Sequence, residues 1–140
     1  MIAEEKLNSN EIIDNGKEVI RIEAAAVADL QNSINGDFVS AVETIITSNG
    51  RVVLTGMGKS GLIARKIVAT LNSTGTAAIY LHPTDALHGD LGMVRSEDVV
   101  ILISKSGETE EISNLLPMLK RLNVKLIAMS GNKESKLAKE

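Results

Sequence analysis

Val99-Val100-Ile101-Leu102-Ile103-Ser104-Lys105-Ser106-Gly107-Glu108-Thr109-Glu110-Glu111 decides how this chain folds. Its aliphatic half is continuous rather than alternating and rich in β-branched residues, which predicts a strand buried on both faces, as in a parallel sheet. It then breaks into hydroxyls around a glycine, and an acidic pair opens a helix. Similar apolar runs occur at Val52-Val53-Leu54, Ala77-Ala78-Ile79-Tyr80-Leu81 and Lys125-Leu126-Ile127-Ala128-Met129. Helical patterns lie between them at 63–71 and 112–122, with a shorter one near 84–91. Strands alternating with helices predict an α/β fold with a doubly wound parallel sheet. In such sheets ligands bind beyond the carboxyl ends of the strands, which directs attention to the loops after the first three.

Upstream of the sheet, Ile12, Ile13, Val19, Ile20, Ile22, Ala26, Val27 and Leu30 recur at three- and four-residue steps and predict a helix with one apolar stripe. Asn35-Gly36-Asp37 interrupts it. Phe38, Val42, Ile45 and Ile46 then mark a shorter helix ending near Asn49-Gly50. Residues 1–50 thus read as N-terminal helices and 51–140 as the αβ sheet core of a single domain. The last residues, Lys136-Leu137-Ala138-Lys139-Glu140, read as a helix just begun, so the sheet is expected to lack its last strand and helices.

Composition narrows the function. The chain has 140 residues, enough for one domain with a sizeable core, and 44% hydrophobic against 24% charged residues excludes a disordered chain. A net charge of -3 argues against a nucleic-acid or anionic-membrane binder. No apolar run approaches the roughly 20 residues that cross a bilayer. Met1-Ile2-Ala3-Glu4-Glu5-Lys6 lacks the character of a secretory signal, so a cytoplasmic location is expected. Without cysteine there is no disulfide, thiolate nucleophile or Cys-zinc site. With Phe38 and Tyr80 as the only Phe, Tyr or Trp residues, stacking on bases or sugar rings is nearly closed as a recognition mode.

The loop after the first strand, Thr55-Gly56-Met57-Gly58-Lys59-Ser60-Gly61, invites two readings that fail. A P-loop needs a glycine where Val53 stands. Gly56, Gly58 and Gly61 match G-x-G-x-x-G, but a dinucleotide fold wants an acid near the end of the second strand, and Tyr80-Leu81-His82 stands there. What remains is a backbone able to approach an anion, helix-start N–H groups and the charge of Lys59. A tight strand-to-helix turn with a solvated lysine is the plainer alternative.

After the third strand, the hydroxyls of Ser104, Ser106 and Thr109 around Gly107, just before a helix, make a neutral cradle for a phosphate monoester. An ordinary helix start with Glu110 and Glu111 complementing the dipole explains Thr109 but not the Ser-x-Ser-Gly before it. After the second strand, His82-Pro83-Thr84-Asp85-Ala86-Leu87-His88-Gly89-Asp90 holds both histidines, each able to act as acid, base or metal ligand.

The 56–61 loop and the 104–111 segment together resemble the sugar isomerase (SIS) domain, whose Ser-x-Ser-Gly-x-Thr loop holds a sugar phosphate. Within it, Gly56-Met57-Gly58-Lys59-Ser60-Gly61, Ser73-Thr74-Gly75-Thr76, His82-Pro83 and Ala86-Leu87-His88-Gly89-Asp90-Leu91-Gly92-Met93 resemble the arabinose 5-phosphate isomerases, over nearly the whole chain. The resemblance implies a flavodoxin-like strand order and substrate contacts from Ser60, Gly75, Thr76, His82, His88, Ser104, Ser106, Gly107, Glu108 and Thr109. It also implies catalytic roles for Lys59, Glu111 and His88. His82 becomes a candidate ligand for a divalent metal such as zinc, although two histidines without a clear third ligand fall short of a closed zinc site. No cofactor is required.

The implied reaction is aldose–ketose isomerisation of D-arabinose 5-phosphate and D-ribulose 5-phosphate through an enediolate, in the supply of Kdo for lipopolysaccharide. Such chemistry needs a base, a donor for the developing oxyanion and an anchor remote from the reacting carbons. Glu111 is either the base or the organiser of Lys59, with helix-dipole stabilisation as the bland alternative. Family members continue with a fifth strand, another catalytic Glu and His, and usually CBS modules. This chain by itself is therefore expected to bind more than it turns over, and a homodimer or homotetramer is the expected state. A non-catalytic phosphosugar-binding module and an isomerase of another sugar phosphate are the competing readings.

Overall fold

The computed structural model describes residues 8–140, so the expectation for Met1 to Lys6 lies outside the described residues. The chain divides into two compact units, Met1–Ser40 and Ala41–Glu140.

In the first unit, helix α1 spans Ser9–Asp29. It opens on a capping box: Asn8 Oδ1 accepts the Glu11 amide at 3.0 Å, and Glu11 Oε2 accepts the Asn8 amide at 2.8 Å. A 3-10 turn, Leu30–Ser33, follows. Helix α2, Gly36–Ile46, starts in the first unit, where Asn35 Oδ1 accepts the amides of Asp37 and Phe38, and ends in the second. The helix predicted from the apolar stripe forms, but that stripe is not core. Ile12, Ile13, Val19, Ile20, Ile22, Val27 and Leu30 all stand more than half exposed.

The second unit holds strands β1 (Val52–Gly56), β2 (Ala78–Tyr80), β3 (Val99–Ser104) and β4 (Lys125–Ser130). All pairs are parallel and the order is β2-β1-β3-β4, the flavodoxin-like arrangement. Helix α3 (Gly58–Ser73) covers one face, where Ala64, Ile67, Val68 and Leu71 pack with Val52, Leu54, Ile101 and Ile103. Helices α4 (Pro83–Leu87), α5 (Glu110–Arg121) and α6 (Lys136–Lys139) cover the other, around Val53, Val100 and Leu102. In α5, Ile112, Leu115, Leu116 and Leu119 present the three- and four-residue spacing that buries one stripe.

Three boundaries differ from the sequence expectation, each for a local reason. The pattern near 84–91 splits into α4 and a 3-10 turn, Asp90–Met93, because Gly89 adopts φ 131° between them. Helix α2 stops at Ile46, and Ser48 Oγ donates instead to Glu97 O across the base of the sheet. Strand β2 is shorter than its apolar run, although Val52 N still donates to Ala77 O and Leu81 N to Leu54 O. Strand β4 is an edge, with Met129 half exposed.

Candidate functional site

At the carboxyl end of β1, Gly56 lies in register with Ile103 of β3, so the 57–60 turn stands beside the 104–109 loop. A Cβ on Gly56 would come within 3.0 Å of Ile103 O. Gly58 opens α3 at φ 52°, a left-handed conformation that glycine adopts without penalty. Close approach and turn geometry therefore account for Gly56 and Gly58 without a dinucleotide. Lys59 is exposed in the first turn of α3, and Ser60 is half-buried behind it.

The loop after β3 is tightly wired. Ser104 is 2% exposed; its Oγ lies 2.8 Å from Thr109 Oγ1 and accepts the Gly107 amide at 3.0 Å. One of the two hydroxyl protons is consumed between Ser104 and Thr109, which leaves the other free to donate outward. Because Ser104 is the enclosed partner, Thr109 is the residue placed to present that proton. Ser106 is exposed and accepts the Glu108 amide at 3.2 Å, so its own proton is also free to donate. Thr109 occupies the cap position of α5 but makes no side-chain cap bond, since its hydroxyl is turned to Ser104. Thr109 is thus the cap residue by position, with its hydroxyl engaged elsewhere. Glu110 and Glu111 fill the first turn of α5, Glu111 half-buried.

The segment after β4 supports this loop from behind, and sequence reasoning missed it. Gly131 N donates to Lys105 O at 3.1 Å and Leu137 N to Gly107 O at 3.2 Å, engaging two carbonyls of the loop. Gly107 sits at φ 71°, and a Cβ there would overlap the side chain of the fully buried Ser135. Glu108 Oε1 accepts the Lys136 amide at 2.7 Å. The carboxylate of Glu108 thus caps α6. The signal available in the sequence was Ser130-Gly131-Asn132, a turn at the end of a strand.

Beyond β2, His82 caps α4 with Pro83 at the first helical position. Its Nδ1 is buried without a hydrogen-bond partner, and Asp85 Oδ1 lies 3.9 Å away. His88 ends α4 and is exposed, as is Asp90. His82 and Asp85 supply two donors, and among the described residues no cluster of three or more His, Cys, Asp or Glu could hold a metal ion. These residues do not fit a divalent metal by themselves.

Gly75 and Thr76 are not brought to this edge. They connect α3 to β2, and because β2 runs parallel to β1 with Ala78 beside Val52, that connection lies at the amino end of the sheet. Asn72 holds it there: its amide donates to Ala78 O at 2.9 Å and accepts Ala78 N at 2.8 Å. Within one chain Gly75 and Thr76 therefore cannot contact a ligand bound among the other three loops, which corrects the expectation for them.

The carboxyl edge thus assembles Lys59, Ser60, His82, His88, Ser104, Ser106, Gly107, Thr109 and Glu111 on adjacent loops. Neutral donors lie on β3's loop and a cation on β1's.

Comparison with known proteins agrees with this arrangement. Residues 45–140 match the SIS domain family. Arabinose 5-phosphate isomerase KdsD of Pseudomonas aeruginosa is 50% identical over 129 residues, covering 92% of this chain and 40% of the relative. The protein of the same name from Escherichia coli K12 is 52% identical over 124 residues, covering 89% and 38%. The chain therefore spans about 40% of the length of the curated relatives it matches. The solved structure of E. coli CFT073 c3406 in complex with arabinose 5-phosphate superposes with a TM-score of 0.89 at 44% identity, covering 94% of this chain and 70% of that one. With a matched region that takes in the whole sheet and all three loops, the chain belongs to the SIS domain family.

Proposed function

We propose that the chain carries the phosphosugar-binding part of an aldose–ketose isomerase acting on D-arabinose 5-phosphate and D-ribulose 5-phosphate. The observation that carries this reading is the 104–109 loop, which offers free hydroxyl donors and has two carbonyls engaged, on a scaffold shared with a protein solved with arabinose 5-phosphate. Ser106 and Thr109 hold the phosphate and Ser104 sets their positions. Lys59 stabilises the oxyanion of the enediolate, and a neutral His88 or ionised Glu111 takes the proton next to the carbonyl. Proton transfer of this kind requires no redox or group-transfer cofactor. The product would supply Kdo synthesis, in the cytoplasm.

Residues 1–140 bind the phosphosugar through these loops. The exposed stripe of α1 favours self-association, since contiguous apolar surface of this kind commonly marks an interface. No described helix is long and apolar enough to cross a membrane.

Calorimetry with arabinose 5-phosphate, unphosphorylated arabinose and inorganic phosphate tests the site. We expect phosphate-dependent binding that Thr109→Ala weakens by about tenfold or more, the value of a hydrogen bond to a charged group. Equal heats for phosphorylated and unphosphorylated arabinose would refute the reading. Binding with no turnover even when the chain is extended would favour a non-catalytic phosphosugar module.

A further inference from the structure

We propose that Tyr80 is a positioning residue for the sugar end of the site, its hydroxyl fixing the glycine turn that carries Lys59. The inference rests on the phosphosugar reading above. Tyr80 closes β2, in register with Leu54 of β1. Its hydroxyl donates to Gly56 O at 2.8 Å, the carbonyl at which the strand ends and the turn begins.

Gly61, one turn into α3, shows how tightly the contact is packed. A Cβ there would lie 2.8 Å from the Tyr80 hydroxyl and 2.6 Å from Gly56 O. The third glycine of the G-x-G-x-x-G string therefore makes room for this hydrogen bond rather than for a pyrophosphate. Arg65, one turn further along α3, lays its guanidinium over the Tyr80 ring at 4.1 Å from the centroid, a cation–π contact. His82 meets the same ring edge-on at 6.3 Å. Tyr80 thus touches the start of α3, the end of β1 and the first residue of the histidine loop. Burial raises its pKa against the opposing pull of Arg65, so the phenol remains a donor across the neutral range.

Without that donor, the buried Gly56 carbonyl loses a partner and the 57–60 turn loses its tie to β2. The phosphate loop is wired to β4 and α6 instead, and none of its hydrogen bonds involves Tyr80. The two ends of the ligand should therefore respond differently.

The test is calorimetry on the unmodified chain, Tyr80→Phe, Lys59→Met and the double variant, with arabinose 5-phosphate and inorganic phosphate as probes. Tyr80→Phe should weaken arabinose 5-phosphate binding about fivefold and leave inorganic phosphate unchanged, a split that a merely structural role would not produce. In the double variant the losses should fall short of additive, because Tyr80 acts through the turn that bears Lys59. Equal weakening of both ligands, an unchanged ratio between them, or additive losses would overturn the inference while leaving the site reading intact. Failure of the unmodified chain to bind arabinose 5-phosphate would overturn both.

Discussion

Gly107 carries the sharpest demand at the scale of single residues. Its φ of 71° lies where a side chain is strained by about 1–2 kcal/mol, and a Cβ would also overlap Ser135. Gly107→Ala is expected to lower stability by about 2–4 kcal/mol and to abolish phosphate binding, measured by urea unfolding and calorimetry. Stability and affinity both unchanged would mean that the loop is not held from behind as described. The hydroxyls of this loop were legible from their spacing, but their division of labour was not. Which of Ser104 and Thr109 faces outward depends on burial, and burial depends on what β4 and α6 place behind the loop.

Among the elements, the amino end of the sheet is secured by a charge pair. Asp98 is 1% exposed and opens into β3; Arg51 opens into β1 and pairs with it at 2.9 Å. Asp98 also accepts the amides of Arg51 and Arg95, and the Arg51 guanidinium reaches Met93 O at 2.7 Å. Burial opposes ionisation of Asp98, but the hydrogen bonds from Arg51 and Arg95 outweigh it and hold its pKa below the usual value. A carboxylate with a depressed folded-state pKa stabilises fully above its unfolded value, about 3.9, and that contribution is lost as pH falls through the folded-state pKa. Unfolding free energy should therefore drop below about pH 4. Asp98→Asn should flatten that part of the profile, at a cost near neutral pH of about 1.5–3 kcal/mol for the charge-assisted hydrogen bonds lost to the half-exposed Arg51. An acid limb identical in Asp98→Asn would show that other carboxylates set it.

At the scale of the whole molecule, the apolar stripe of α1 stands exposed. Ile20 and Val27 are each 68% exposed and stand two turns apart on one face. Sedimentation should show self-association at tens of micromolar that Ile20→Glu combined with Val27→Glu reverses, with the sheet's melting transition retained. A single species of monomer mass for the unmodified chain would refute it. Periodicity showed that this stripe wanted cover. It could not show where the cover comes from, because a stripe that packs on its own domain and one that packs on another chain are written alike.

Local pattern was enough for the alternation of strands and helices, the parallel sheet and the cluster of hydroxyls around Gly107 in the 104–109 loop. Those follow from local pattern: continuous β-branched runs, helical spacing, and hydroxyls around a glycine at a helix start. The tertiary structure decided everything that depends on residues distant in the chain. It turned the Glu108 carboxylate to α6, left Gly75 and Thr76 at the far edge of the sheet, and put the Tyr80 hydroxyl against Gly56. Each outcome depends on which groups the parallel register brings within hydrogen-bond reach, and side-chain partners of that kind leave no periodic trace in a single sequence.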